Sequence, residues 1–266
     1  MTSRKNTNSV PGQPTKVAVL GGTGLIGTRI VAALSAAGHD ASALSRSTGV
    51  DLFTGRGLAD ALTDVEVVVD ATQAPVPDDS AAEFFRATVG NLHTAAQQAG
   101  VRHLVLLSIV GVDRAPDLGY YRAKTLQEQL FASGPIPYSI VRATQFFEYL
   151  DEIISWTSDA DTVRLPATEL QPIAAAEAAR FVAEVAAGRP LQGTVEVVGP
   201  EIAGLDELGR TILTARGDRR AVVTDPTAGP FALAPRTALT AAAPAYTAPT
   251  RYRDWLAGDT SVAHGR

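Results

Sequence analysis

Seven residues near the start of the chain restrict its folding more than any others. Lys16-Val-Ala-Val-Leu20 reads as a short buried strand, and Gly21-Gly22-Thr23-Gly24-Leu25-Ile26-Gly27 follows directly, opening an Ala-rich amphipathic stretch over residues 24–37. Glycines 22, 24 and 27 satisfy G-x-G-x-x-G, and glycines 21, 24 and 27 satisfy G-x-x-G-x-x-G. A strand that turns straight into a helix needs glycine where the turn is tight, where a ligand approaches the main chain, and where helix packs on strand. The helix N-terminus then presents free N–H groups to a pyrophosphate. A plain structural bend is the competing reading of the motif alone; between this strand and this helix it reads as a dinucleotide site.

The same alternation continues. Strand-like runs at 41–45, 65–70, 102–108 and 137–142 are separated by helical stretches at 57–62, 80–99 and 119–133. Such strands pair in parallel through right-handed crossovers, with helices on both faces, so the expected fold is α/β, a Rossmann-type doubly wound parallel sheet. Residues 16–142 are expected to form the dinucleotide-binding core and residues 143–266 a smaller substrate-binding part packed on it. The polar segment 1–15, with two prolines, reads as a disordered tail. In the second half, helices are expected at 145–156, 174–187 and 205–216, strands at 194–198 and 221–224, and a last short helix at 250–256. Nineteen of the 25 residues in 226–250 are Ala, Pro or Thr, and the five prolines forbid one regular helix. That stretch reads either as a loop folded over the body, lining a pocket, or as an ordinary surface loop.

The end of the second strand selects the dinucleotide. An acidic residue there binds the ribose hydroxyls of NAD, whereas this chain has Ser45-Arg46-Ser47, a guanidinium flanked by hydroxyls that suits a 2′-phosphate. NADP(H) is therefore expected over NAD(H), against the alternative that Arg46 is an ordinary solvated charge. Asp51 comes too late for the ribose and, with Leu52, is expected to border the adenine. Farther on, Ser108 ends the fourth strand, at the sheet edge where ligands sit. Tyr120-Tyr-Arg-Ala-Lys124 then begins a helix, placing Tyr120 and Lys124 on one face at roughly 6 Å between Cβ atoms. An ammonium so close lowers a phenol pKa, suiting Tyr120 to proton transfer. Tyr121, three residues from Lys124, is the alternative donor.

Together the glycine turn, Ser108 and the Y-x-x-x-K spacing resemble the short-chain dehydrogenase/reductase superfamily. Leu106-Leu-Ser-Ile-Val-Gly111, Tyr120-Tyr-Arg-Ala-Lys124 and Val141-Arg-Ala-Thr-Gln-Phe146 are similar to its atypical, NmrA-like NAD(P)H-binding branch, over about residues 16–188. The resemblance implies that Tyr120 protonates a carbonyl oxygen as hydride arrives, that Ser108 hydrogen-bonds that oxygen, and that Lys124 binds the nicotinamide ribose. It also implies that Ala71, Thr72, Thr144, Gln145 and Phe146 border the cofactor. Asn91 lies on the helix that carries a relay asparagine in many relatives, and reads here more simply as a solvated residue. Since parts of this branch bind the dinucleotide without turning it over, a non-catalytic NADP(H) sensor with a protein partner stands beside the reductase.

Composition trims the alternatives. With 23 basic against 28 acidic residues and no basic run, the net charge of −5 argues against nucleic-acid or anionic-membrane binding. The absence of cysteine excludes thiolate chemistry and fits a cytoplasmic protein, and the apolar stretch 16–29 is too short and glycine-rich for a membrane span. Four scattered histidines show no metal-ligand spacing, and neither G-x-S-x-G nor a P-loop lysine occurs. Phe146, Phe147, Tyr149, Leu150 and Trp156 are expected to wall an apolar substrate pocket, though Phe146, Leu150 and Ile153 also form a helical core stripe. A small apolar ketone or quinone is the expected substrate.

Overall fold

Alternation of strand and helix through the first half is realised in a computed structural model describing residues 14–76, 80–242 and 244–263. The elements are β1 (Lys16–Leu20), α1 (Leu25–Ala36), β2 (Asp40–Leu44), α2 (Leu58–Ala61), β3 (Val67–Asp70), α3 (Ala81–Ala99), β4 (His103–Ile109), α4 (Gly119–Ala132) and β5 (Tyr138–Ala143). After them come α5 (Leu150–Ser155), β6 (Thr162–Leu165), β7 (Glu169–Leu170), α6 (Ala175–Ala187), β8 (Gly193–Val198), β9 (Ala203–Gly204), α7 (Leu205–Arg216), β10 (Ala221–Thr224), β11 (Tyr246–Thr247) and α8 (Tyr252–Ala263). The expected tail, apart from Pro14 and Thr15, lies outside the described residues. Thr15, counted in the expected tail, is joined to the sheet edge, where its carbonyl accepts the Asp40 amide at 3.0 Å.

The fold is a Rossmann-like doubly wound sheet of seven parallel strands in the order β11-β8-β5-β4-β3-β1-β2. The apolar runs that read as strands are buried on both faces, as a parallel sheet requires. One face is covered by α1 and α6, whose Ile30, Leu34, Ala178, Ala179 and Val182 meet Val17, Val69 and Val105. The other is covered by α3 and α4 around Leu92, Phe131, Leu104 and Leu106. The order in which strands are added reverses between β1 and β3, with β2 on one side and β3, β4 and β5 on the other, so the glycine turn after β1 sits at the crevice where such sheets bind ligands. The sheet draws strands from both sides of residue 142, since β8 pairs with β5 and β11 extends it further.

In the second half one expectation is corrected, and one of the two open readings of 226–250, the loop folded over the body, is selected. The single helix over 145–156 is broken into a 3₁₀ turn at Phe147–Tyr149 and α5, because Phe147 N–H bonds Ile173 O and Ile173 N–H bonds Gln145 O, pulling the entry away from helix. Residues 226–250 are no loose surface loop: a 3₁₀ turn at Pro230–Leu233 buries Phe231, Thr168 Oγ1 donates to Phe231 O at 2.9 Å, and Arg114 donates to Thr240 O at 2.6 Å. That strap crosses Gly111, where φ is +85° and a Cβ would stand 2.1 Å from Ala238 O, so only glycine lets the two backbones meet. No helix among the described residues is long and apolar enough to cross a membrane.

Candidate active site

The glycines of the first turn divide their work. Gly22 and Gly27 are buried, and a Cβ on either would lie 2.6 Å from Ala43 Cα or 2.1 Å from Gly21 O, so they permit strand and helix to close on the turn. Gly24 is exposed, and a Cβ there would meet only Gly21 O at 3.3 Å, leaving its outer side open. It caps α1 without a side-chain hydrogen bond, so the first-turn amides of Leu25, Ile26 and Gly27 keep their donors for a ligand. Thr23 is exposed beside them. This cradle fits a dinucleotide pyrophosphate.

At the end of β2, Ser45 hydroxyl lies 2.7 Å from Ser47 hydroxyl, and Ser45 N–H donates to Thr48 Oγ1 at 2.8 Å. The turn these bonds hold leaves the Arg46 side chain exposed, with no ion pair among the described residues. Asp51 Oδ1 accepts the Phe53 amide at 3.0 Å, so its charge holds its own loop, and Leu52 is buried. Asn91 is partly exposed, and its amide is engaged by that loop. Its Nδ2 donates to Leu52 O at 3.0 Å and Phe53 O at 2.9 Å, tying that loop to α3.

Across the crevice, Ala71 O stands 2.9 Å from where a Gly21 Cβ would be, which brings the end of β3 against the glycine turn. Ser108, on β4, is 3% exposed, and its Oγ has no hydrogen-bond partner. A buried hydroxyl left unpaired is costly, and points to a group that completes it. Tyr120 is half-buried at the start of α4, its ring 6.2 Å from that of Phe85. Tyr121 instead turns into the second-half core, where Gln145 Nε2 donates to its hydroxyl at 3.1 Å. Tyr120, packed between that core and Phe85, is the less buried of the two tyrosines.

Lys124 does not act on the phenol as its spacing suggested. Its Nζ donates to Leu107 O at 3.0 Å and Gln127 Oε1 at 2.6 Å, and lies 5.4 Å over the Phe85 ring. Burial then dominates and pushes the Tyr120 phenol up to about 12, against a backbone hydrogen bond from Ala74. Burial also lowers Lys124 to about 8, with Asp70 and Glu128 opposing it. Asp70 and Gln127 thus belong to the site although their sequence did not single them out; the available signal was one carboxylate closing the apolar run Val67–Val69. After β5, Thr144 donates its hydroxyl to Gln171 O at 2.6 Å, buried Gln145 keeps Oε1 unpaired, and Phe146 is half-buried. Of the expected aromatic wall, Phe147 and Leu150, with Ile153, are core; Tyr149 and Trp156 are exposed and meet edge to face at 6.0 Å.

A doubly wound sheet with an uncapped, glycine-opened helix at its switch point defines a dinucleotide-binding protein. The sequence profile of NAD(P)H-binding proteins matches residues 21–187, and the chain belongs to that family, an atypical branch of the short-chain dehydrogenases/reductases. Photosystem II assembly factor Ycf39 of Synechocystis is 27% identical over 150 residues, 51% of this chain. The matched region spans about half, 46%, of that factor. Among solved structures, the Bordetella bronchiseptica enzyme WbmG in complex with NAD is 16% identical with a TM-score of 0.69, covering 94% of each chain. The dTDP-4-dehydrorhamnose reductase of Bacillus anthracis, in complex with NADP, is 16% identical with a TM-score of 0.64, covering 80% of this chain and 85% of its own.

Proposed function

We propose that the protein is an NADPH-dependent reductase that converts the carbonyl of a small apolar substrate, a ketone or quinone, to the alcohol. The observation that carries this reading is the unpaired, buried Ser108 hydroxyl at the end of β4, beside the helix bearing Tyr120 and Lys124. Reduced nicotinamide, when bound, supplies the hydride. The first-turn amides of α1 hold the pyrophosphate, with Gly24 leaving room for it, and Arg46 with Ser45 takes the 2′-phosphate. Lys124 holds the nicotinamide ribose. Ser108 donates its hydrogen bond to the substrate oxygen, and Tyr120 passes its proton to that oxygen as it becomes an alkoxide. A phenol at about 12 keeps its proton at neutral pH, so Tyr120 stands ready as acid rather than base, which favours the reductive direction.

The substrate class follows from what lines the second half. Tyr149 and Trp156 offer exposed aromatic surface, whereas Arg164, Arg210, Arg216, Arg220 and Arg236 each face a carboxylate of the chain itself. A nucleoside diphosphate would draw on guanidiniums such as these five, whose charge is already met within the chain. The same proposal has the protein act in the cytoplasm, without a nucleic-acid or membrane partner.

A second reading, a non-catalytic NADP(H) sensor that binds a protein, is favoured by one observation: the Synechocystis relative is named an assembly factor. Incubation with NADPH and a panel of ketones and quinones separates the two. Substrate-dependent loss of nicotinamide absorbance is expected; tight NADPH binding with no consumption across the panel would favour the sensor.

A further inference from the structure

Lys124 is an ammonium buried to 3% exposure, and a cation out of water needs a charge partner. Asp70, which closes β3 and is fully buried, supplies one. Its Oδ1 accepts the Thr72 amide at 2.9 Å and the Thr72 hydroxyl at 2.7 Å, and its Oδ2 accepts Gln127 Nε2 at 3.3 Å. Burial raises the Asp70 carboxyl above its ordinary range, and the two Thr72 hydrogen bonds, Lys124 and Gln127 oppose that rise; all three hydrogen-bond partners donate, which suits an ionised carboxylate. At its other end Gln127 Oε1 accepts Lys124 Nζ at 2.6 Å. Only this amide orientation satisfies both neighbours, since an ammonium has no acceptor and a carboxylate no donor.

The other charged group within reach of Lys124 is Glu128 on its own helix. Arg142 binds Glu128 with two hydrogen bonds, at 2.9 and 2.7 Å, and spends its charge. From β4 the ammonium meets only the Leu107 carbonyl, from α3 only the Phe85 ring, and Tyr120 keeps its proton. Asp70 forms no ion pair of its own among the described residues.

We propose that Asp70, through Gln127, is the positioning residue that keeps Lys124 protonated and aimed at the cofactor ribose, so that cofactor affinity follows the charge of this buried relay. It rests on the assignment of Lys124 to the ribose made above. Burial already brings Lys124 to about 8, so losing the opposing carboxylate charge leaves it largely neutral in the working range.

The chain has three lysines, Lys5, Lys16 and Lys124, so NMR of the cofactor-free protein labelled at lysine Cε follows Lys124 directly, with Lys124→Met assigning its signal. A midpoint near 8 is expected in the parent, and one at least about a unit lower in Asp70→Asn. By calorimetry, NADPH should bind Asp70→Asn about tenfold more weakly than the parent at pH ~8.5 and nearly as well at pH ~6. Asp70→Ser, which also removes the carboxylate charge and keeps a small polar group beside Thr72, should behave likewise and replaces Asp70→Asn if that variant does not fold. An unmoved lysine midpoint overturns the proposal, as does weakened binding that acid does not restore. A moved midpoint with unchanged affinity at every pH would overturn the assignment of Lys124 to the ribose instead.

Discussion

Tyr120 and Tyr121 are adjacent on α4 and differ in surroundings: one is half-buried beside Phe85, and the other is buried in the second-half core and bonded by Gln145. Tyr121→Phe leaves the buried Gln145 donor unpaired, so it should cost about 1–3 kcal/mol of stability and leave NADPH consumption unchanged. A collapse of turnover in a folded Tyr121→Phe would place the proton donor one residue later. Arg46 offers a second check at this scale. Exposed and unpaired, it is expected to contribute a charge-assisted contact of ~1.5–3 kcal/mol to NADPH and none to NADH, so Arg46→Ala should erase most of a preference seen by calorimetry. Equal affinities for the two cofactors in the unmodified protein would refute that role. The positions of Ser108 at the end of β4 and of Tyr120 and Lys124 on one helix were legible because strand ends and helical spacing are set locally. Asp70 and Gln127 were not, because their meeting depends on α4 docking across the end of β3, which no local pattern records.

Among the elements, α1 carries the clearest contrast between structural and binding glycines. Gly27→Ala would drive a Cβ to 2.1 Å from Gly21 O, forcing the helix off the turn, and should destabilise the protein itself by a few kcal/mol. Gly24→Val has room beside Gly21 O at 3.3 Å and an ordinary φ of −81°, so it should fold and fail to bind cofactor. Thermal melts with cofactor titrations distinguish them; unchanged NADPH affinity in folded Gly24→Val would make the turn merely structural. Element identity was readable wherever period and caps agreed, as for α7, expected over 205–216 and found at Leu205–Arg216. It failed over 145–156, where Leu150 and Ile153 of the apolar stripe are core but Phe146 packs against the sheet instead, and a bridge from Phe146 to Ile173 overrode helix at the entry. The two-residue strands β7, β9 and β11 carry too few residues to show a period, and exist through their partners.

Across the whole molecule, the halves are joined through the sheet rather than by a linker. His103 on β4 lies 2.8 Å from Ser139 Oγ on β5, and Ser139 Oγ accepts the Leu191 amide at 2.9 Å ahead of β8. Burial lowers His103 from 6.5 to about 4, so the native state keeps the imidazole neutral while the unfolded chain binds a proton below 6.5. Stability from this group is full above 6.5 and is lost as pH falls towards 4. Denaturant unfolding at pH ~7 and ~4.5 should show an acid loss about 2–3 kcal/mol larger in the parent than in His103→Gln. Parallel losses in the two proteins would show that His103 titrates normally. The strap over 226–250 packs on the same body through Phe231, Ala234, Ala238 and Leu239, and the function proposed for the whole has Tyr120 donate a proton to the substrate oxygen. That donation is tested most directly by the rate of NADPH oxidation on the fastest carbonyl substrate of the panel, in the parent and in Tyr120→Phe, with NADPH affinity measured alongside. Tyr120→Phe should bind NADPH as the parent does and turn over roughly 10² to 10⁴ times more slowly; equal rates in the two proteins would contradict the assignment of Tyr120 as the acid.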